Sequence, residues 1–246
     1  MIVLTFAVQT NIGYLREENQ DRVDARTYED RILALVCDGM GGERSGSEAS
    51  RLAAEVFFEH FEESYQTNMD PYAIRALLLS SVSAANSIIY TTAKMNYQNF
   101  GMGTTCVAAF LSDNGIAVVN VGDSRAYLYQ SGQLTQLTKD HNVVNLLLDQ
   151  GEIQPEEAKT HPQRHMLTRA VGVERTVRPD YFEIHPEGAF KLLLCSDGLS
   201  GYCEEEEIQQ ILEQDLEAEA LADRLIALAL EKGGRDNVSV AVVTES

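Results

Sequence analysis

The chain has 246 residues and a formal net charge of -19 at pH 7, with 44% hydrophobic and 23% charged residues. This is the composition of a globular protein with a substantial core, and we expect a single domain over residues 1–246. The charge argues against binding nucleic acid or an anionic membrane through a general basic surface, because neutralising phosphates requires clustered Lys and Arg.

The cysteine and hydropathy patterns favour a cytoplasmic protein with no membrane association. The four cysteines show no Cys-x-x-Cys spacing, and Cys37, Cys106 and Cys195 lie in apolar, strand-like runs. Buried free thiols are typical of a reducing compartment, and this spacing disfavours structural zinc. The apolar stretch at residues 2–8 lacks a basic leader, and nowhere do eighteen apolar residues run together.

The first predicted strand covers residues 6–10 and ends in a turn at 11–13. The polar stretch Arg16–Asp21 follows, and by itself it is typical of a solvated loop. Its arginine offers a planar fork that suits a pair of phosphate oxygens, whereas a lysine would offer only a point charge.

An apolar run at residues 32–37 then stops at Asp38, with glycines at positions 39, 41 and 42. We interpret it as a buried strand that delivers Asp38 to a loop where backbone carbonyls are accessible. A carboxylate beside a free carbonyl suits a hard cation such as Mg²⁺ or Mn²⁺. Asp-Gly is also a common turn dipeptide, so this stretch alone favours an ordinary turn.

Two core-covering helices are predicted next, one ending near Tyr65 and one from Pro71 to about Lys94, since both segments carry apolar residues at helical spacing. A hairpin of residues 106–111 and 116–121 follows and ends in Gly122-Asp123. Further on, strands are predicted at 126–129, 181–184, 191–195 and 238–243, and helices at 204–213 and 217–232.

The segment from about 142 to 172 is polar and less regular than the rest of the chain, with short helices predicted near 143–149 and 155–158. We interpret it as a mobile flap that carries substrate contacts. It contains His161, His165 and Arg169; each histidine by itself is typical of a surface residue.

Four aspartates, Asp38, Asp123, Asp197 and Asp236, all stand where an apolar strand meets a glycine-containing turn. If their strands are neighbours, the carboxylates line one rim and repel one another unless cations hold them. Two ions at roughly 3.5–4 Å could share an acidified water and stabilise both oxygens of a phosphoryl displacement, so that no Ser or Cys nucleophile is needed.

At this point the chain resembles the metal-dependent serine/threonine protein phosphatases of the PPM, or type 2C, family in their compact bacterial form. The resemblance rests on eight stretches in the family's order, which together span nearly the whole chain. They are residues 16–21, 36–42, 101–105, 119–127, 137–141, 167–172, 193–199 and 236–239.

The resemblance implies an α+β fold, a four-layer αββα sandwich of two mainly antiparallel sheets flanked by helix pairs. It also implies that Asp38 bridges two Mn²⁺ or Mg²⁺ ions, with Gly39 giving its carbonyl to the second. Asp197 and Asp236 resemble the remaining ligands of the first ion, and Asp123 with Asp197 those of a third, weaker one.

Further roles follow from the same resemblance. Arg16 resembles the phosphate-binding arginine, and Asp21 an outer-shell acid. We therefore expect Arg16, Asp38 and Asp197 to be catalytic, and His161 and Arg169 to contact substrate from the flap. Gln20 replaces a glutamate near the second metal.

Met40 stands where animal relatives have a histidine that resembles a general acid, so the proton for the leaving group has another source. Bacterial relatives share the Met-Gly-Gly pattern, and we do not take it as a sign of inactivity.

The expected activity is hydrolysis of phosphoserine and phosphothreonine in other proteins. A paired serine/threonine kinase and a monomeric state are further expectations from the family. A catalytically silent phosphoprotein-binding module on the same fold is the alternative, although it would have no chemical need for all four aspartates. A calcium-binding structural protein is disfavoured because no EF-hand-like loop occurs.

Overall fold

The computed structural model describes residues 4–95, 99, 101–158 and 160–245, with only the backbone described at 42–44. Within these ranges eleven strands and seven helices occur. The strands are β1 (Leu4–Asn11), β2 (Asp21–Tyr28), β3 (Arg31–Met40), β4 (Gly103–Thr104), β5 (Cys106–Ser112), β6 (Gly115–Val121), β7 (Arg125–Gln130), β8 (Gln133–Gln136), β9 (Asp180–Ile184), β10 (Phe190–Cys195) and β11 (Val238–Glu245). The helices are α1 (Gly42–Ser64), α2 (Pro71–Met95), α3 (Val143–Gln150), α4 (Pro155–Ala158), α5 (Asp197–Ser200), α6 (Glu205–Leu212) and α7 (Ala218–Glu231).

The strands form two sheets in which every recorded pairing is antiparallel. One sheet has the order β1-β11-β10-β7-β8, and the other has the order β2-β3-β5-β6-β9 with β4 added beside the end of β3. Helices α1 and α2 pack on the outer face of the second sheet, and α6 and α7 pack on the outer face of the first. The predicted αββα sandwich is therefore confirmed.

Three layers of apolar side chains hold these four layers together. The central layer lies between the sheets, and its buried members alternate along each strand with residues that face the helices: Ile32, Ala34 and Val36 of β3 point inward, whereas Leu33 and Leu35 pack under α1 and α2. Because side chains alternate across a strand, a strand covered on both faces has no polar position. This explains the uninterrupted apolar runs in the sequence.

Several elements differ from the sequence-based expectation. The strand β2 is absent from the prediction because its sequence, DRVDARTY, is polar, as an edge strand next to solvent can be. The short elements β4, β8 and α5 were also not predicted. The predicted strands at 181–184 and 191–195 exist but belong to different sheets, so the segment between them crosses from one sheet to the other.

The helix α2 is long and apolar enough, by length and composition alone, to cross a membrane. Core helices pass the same test, and α2 packs its apolar stripe, including Leu78, Val82 and Ile89, into the layer under α1. All four cysteines are free and buried.

The central layer should dominate the stability of the fold. Leu194→Ala removes a fully buried side chain between the sheets and leaves a cavity, which should lower the free energy of unfolding by about 2–5 kcal/mol. Ile88→Ala, on the exposed side of α2 (45% exposed), is the control and should change it by no more than about 0.5 kcal/mol. Urea unfolding measures both, and equal effects would contradict the assignment of the central layer.

Candidate active site

Four aspartates from four strand ends line one cavity of about 980 Å³ at the edge of the sandwich. Asp38 lies near the end of β3, Asp123 follows β6, Asp197 follows β10 and Asp236 precedes β11. Two of these strands belong to each sheet. The rim of the sandwich thus gathers residues that lie up to two hundred positions apart in the chain.

Asp21 connects the two sheets beneath this cavity. It starts β2 directly opposite Asp38 in the antiparallel register, and it is almost fully buried. The hydroxyl of Ser196, after β10, donates to Asp21 Oδ2 at 2.7 Å and accepts from the backbone N–H of Ser239 at 3.0 Å. The second carboxylate oxygen, Oδ1, is buried without a hydrogen-bond partner in the protein. A buried carboxylate oxygen left in this way attracts a cation or a proton.

Burial, together with repulsion between carboxylates, dominates the electrostatics of the site. Burial, followed by the charges of Asp21, Asp197, Asp123 and Asp236, raises the pKa of Asp38 well above its usual range. Burial and the neighbouring carboxylates also raise the pKa of Asp123, with Asp197 the largest of those charges. For Asp21, burial raises the pKa to about 7.

Two positive or protonatable groups contact this acidic cluster. Arg16 Nη2 donates to Asp236 Oδ2 at 2.7 Å, and His165 Nδ1 lies 3.3 Å from Asp197 Oδ2. The hydrogen bond to Asp236 raises the pKa of Arg16, so its guanidinium stays charged. In the part of the chain that the structure describes, no three His, Cys, Asp or Glu side chains stand close enough to surround one ion as they are placed.

The loop that carries Arg16 is held against the strand β11 by Asn237. The side-chain amide of this residue donates to the carbonyls of Ile12 and Glu18 at 2.9 and 3.0 Å, and its oxygen accepts from the N–H of Gln20 at 2.8 Å. Three hydrogen bonds from one buried side chain fix both ends of the loop. Arg16 itself remains half-exposed at the cavity.

Two glycines close to Asp38, Gly39 in β3 and Gly46 in α1, have no room for a side chain. A Cβ on Gly39 would meet the carbonyl oxygen of Gly46 at 2.0 Å, and one on Gly46 would lie 2.8 Å from the carbonyl oxygen of Gly39. The two backbones therefore approach each other closely, and Gly39 lines the cavity beside Asp38.

The buried residue Thr105 links Asp38 to the turn that bears Asp123. Its hydroxyl accepts from the N–H of Asp38 at 2.8 Å and is 2.7 Å from the hydroxyl of Ser124, while its own N–H donates to the carbonyl of Asp38 at 2.8 Å. The ends of β3 and β6 are therefore tied together by side chains as well as by the sheet.

The segment predicted as a flap contains α3 and α4, and its two ends pair through a bridge between Asn142 and Leu167. A second cavity, of about 560 Å³, lies between this segment and α5–α6, and both cavities share Asp123, His165, Asp197 and Tyr202. The ring of His165 stacks on Tyr202, with centroids 6.3 Å apart.

The two flap residues expected to contact substrate lie elsewhere. Among the described residues that line the two large cavities, neither His161 nor Arg169 is included. His161 accepts from the N–H of Gln163 at 3.2 Å, whereas Arg169 is bound to Asp180 at 2.7 Å and to the carbonyl of Arg178 at 2.9 Å. Of the described residues of the segment 142–172, His165 and Leu167 line the larger cavity. His165 by itself looked like a surface residue.

Thr105, Asn237 and His141 were missed as functional candidates, although each lies in or beside a stretch that carried the family resemblance. Their contribution is visible only through hydrogen bonds to backbone groups far away in the sequence.

The sequence and the structure match a known family over most of their extent. Residues 16–231 match the family model of protein phosphatase 2C. The serine/threonine phosphatase stp of Listeria monocytogenes is 37% identical over 236 residues, which is 96% of this chain and 93% of that protein. The chain belongs to the protein phosphatase 2C family.

Solved structures agree with this membership. The serine/threonine phosphatase of S. agalactiae superposes with a TM-score of 0.91 at 32% identity, covering 98% of both chains. The catalytic domain of the serine/threonine protein phosphatase PstP in complex with two manganese ions has a TM-score of 0.84 at 36% identity, covering 100% of this chain and 99% of that one. The chain is accordingly a serine/threonine protein phosphatase that uses divalent metal.

Repulsion among the carboxylates predicts that removing one charge stabilises the metal-free protein. Asp38→Asn, measured in the presence of a chelator, should raise Tm by about 2–4 °C for each kcal/mol of repulsion relieved. The control is Asp113→Asn in the exposed β5–β6 turn, which should leave Tm unchanged. A lower Tm for Asp38→Asn than for the wild type would contradict the repulsion. Thermal unfolding followed by circular dichroism is the measurement.

Proposed function

We propose that the acidic edge of the sandwich is the catalytic centre of this phosphatase and that Asp38, Gly39, Asp197 and Asp236 hold two divalent ions there. Asp123 together with Asp197 would hold a third. The observation that supports this most strongly is the convergence of these four carboxylates and Arg16 on a single cavity.

The donor set fits Mn²⁺ or Mg²⁺. Carboxylates and backbone carbonyls are the oxygen ligands that hard cations prefer. Burial and the neighbouring carboxylates raise the pKa of Asp38, so its surroundings favour added positive charge or a proton. None of the four cysteines lines the cavity of about 980 Å³, although Cys203 lines the neighbouring one, and the lack of a sulfur donor beside the four aspartates disfavours a soft metal. When bound, such ions supply an acidified water for attack on phosphorus and positive charge for the leaving oxygen.

The protein's own residues then have distinct tasks. Arg16 binds two oxygens of the substrate phosphate through its planar guanidinium, releasing its present contact with Asp236. Asp21, hydrogen-bonded to Ser196 and facing Asp38 across the strand pair, acts as an outer-shell acid that orients the ligands. Gln20 anchors the Arg16 loop through its N–H, which donates to Asn237.

The biological setting is the broader part of the proposal. Phosphoproteins are the substrates, and we infer that a serine/threonine kinase and its targets are among them. We further propose a monomer with one domain over residues 1–246, in the cytoplasm, where the four free cysteines remain reduced. Residues 142–172 would act as the flap over the substrate, with His165 facing the cavity.

Metal-dependent turnover tests the catalytic centre. Hydrolysis of a phosphothreonine peptide should be lost in chelator and restored by Mn²⁺ or Mg²⁺, and Asp38→Ala or Asp197→Ala should remain inactive after metal is added. At a hundredfold excess over its Kd a metal stabilises a protein by about 2.7 kcal/mol, so Mn²⁺ should raise the wild-type Tm. Turnover that persists without metal, or full activity of Asp197→Ala, would contradict the assignment.

Arg16 offers a separate test because its role is confined to phosphate binding. Arg16→Ala should lower kcat/KM about 10–100-fold, the equivalent of about one charged hydrogen bond. Arg16→Lys keeps the charge but loses the fork and should recover only part of the loss. Metal binding, measured by calorimetry, should change little in both variants. A wild-type kcat/KM for Arg16→Ala would remove this residue from the site.

A further inference from the structure

The buried histidine His141 lies outside the two cavities but contacts three parts of the chain that the catalytic centre depends on. It follows β8 and immediately precedes the segment predicted as the flap. The residue is only 6% exposed, and both ring nitrogens have polar neighbours.

The first contact is with the turn that bears Asp123. The N–H of Gly122 donates to His141 Nδ1 at 3.0 Å, and the N–H of His141 donates to the carbonyl of Gly122 at 2.9 Å. Gly122 has φ of +106° and packs so closely on Thr105 that a Cβ would lie 2.5 Å from the Thr105 methyl group. The turn is therefore held between His141 on one side and Thr105, which contacts Asp38, on the other.

The second contact is with the base of the flap. The carbonyl of His141 accepts from the N–H of Thr168 at 2.9 Å, and the N–H of the neighbouring Val143 donates to the carbonyl of Met166 at 2.9 Å. These bonds pair the chain entering the segment with the chain leaving it. The same residue thus fixes the flap base and the Asp123 turn.

The third contact locks the imidazole itself. Since Nδ1 accepts from Gly122, the ring proton resides on Nε2, which donates to Asp180 Oδ2 at 3.1 Å. Asp180 also accepts from Arg169 Nη1 at 2.7 Å through its other oxygen. Arg169 Nη1 also lies 3.0 Å from His141 Nε2, but both nitrogens carry hydrogens and cannot bond to each other. Arg169 is therefore held by the Asp180 carboxylate and not by the ring. Burial lowers the pKa of His141, in keeping with a neutral ring.

We propose that His141 is a positioning residue that holds the Gly122-Asp123 turn and the flap base in one fixed arrangement and thereby sets the location of the Asp123 carboxylate. Asp180 and Arg169 fix the ring from the opposite side. This rests on the proposed function of Asp123, but the placement of the turn can be measured without turnover.

Two substitutions separate the contact made by Nδ1 of His141 from the contact made by Nε2. His141→Asn places an amide oxygen where Nδ1 stands, so the bond from Gly122 can persist while the contact with Asp180 is lost. His141→Gln places an amide near the position of Nε2 and leaves the N–H of Gly122 without its acceptor. If His141 only stabilised the fold, both variants would lower stability and amide protection to the same extent.

Amide hydrogen exchange provides the first readout. The Gly122 amide should be protected in the wild type and in His141→Asn and should exchange faster in His141→Gln, with thermal unfolding checked in parallel. Wild-type protection of Gly122 in His141→Gln, or equal loss in both variants, would overturn the proposal. His185→Gln, at an exposed histidine (69% side-chain exposure) that follows β9, is the control and should change nothing.

Kinetics provide the second readout. His141→Gln should lower kcat about 10–100-fold, as loss of an outer-shell contact does, with a smaller effect for His141→Asn. If His141 acts through Asp123, the double variant His141→Gln/Asp123→Asn should be no slower than the more impaired of the single variants. Multiplicative losses would overturn the proposal. An inactive wild type would refute the proposed catalytic function and not the role of His141. The exchange measurement needs no activity, so it tests that role in either case.

If His141→Gln does not fold, Asp180→Ala carries the test, since Asp180 is partly exposed (36% side-chain exposure). Without Asp180, Nε2 loses its acceptor and lies 3.0 Å from the donor Arg169 Nη1, so the ring proton moves to Nδ1, which then no longer accepts from Gly122. The amide oxygen of His141→Asn carries no proton and stays an acceptor, so that variant keeps Gly122 protected. In Asp180→Ala, exchange at Gly122 and Thr168 should be faster than in the wild type. Unchanged exchange at both amides would count against His141 as the link.

Discussion

The organising constraint of this protein is the cost of gathering like charges at one edge of a sandwich. Asp38 and Asp123 lie where burial and neighbouring carboxylates raise their pKa values, and Asp21, which accepts from Ser196 at the end of β10 in the other sheet, is buried almost completely. Such a cluster is unfavourable unless cations compensate it. The fold tolerates this because the rest of the structure, three continuous apolar layers, is stable enough to hold the strand ends in place.

The two sheets cooperate in building the centre, and neither contains it alone. β2 and β3 present Asp21 and Asp38 from one sheet, while the ends of β10 and β11 present Asp197 and Asp236 from the other. The hydrogen bond from Ser196 to Asp21 joins these halves at 2.7 Å in a buried position. Sliding one sheet over the other would therefore separate these carboxylates, so their arrangement depends on the packing of the central layer.

Polar side chains bonded to backbone groups do the remaining positioning. Asn237 fixes the loop of Arg16, Thr105 ties Asp38 to Ser124, and His141 ties the Gly122 turn to the base of the flap. Each of these residues is buried and makes several hydrogen bonds at once. These hydrogen bonds fix the residues around the larger cavity, while the segment 142–172 reaches that cavity through His165 and Leu167.

The sequence by itself determined the apolar runs, the helices with one apolar face and the aspartates that follow strands at glycine-containing turns. These are local signals, because the spacing of side chains along a helix or strand and the freedom of glycine depend on a few adjacent residues. Only the tertiary structure decided that β9 and β10 lie in different sheets, that Arg169 binds Asp180, and that His165 rather than His161 reaches the cavity. Each of these features depends on contacts between residues from different packed layers. The spacing of residues along the chain does not specify such contacts.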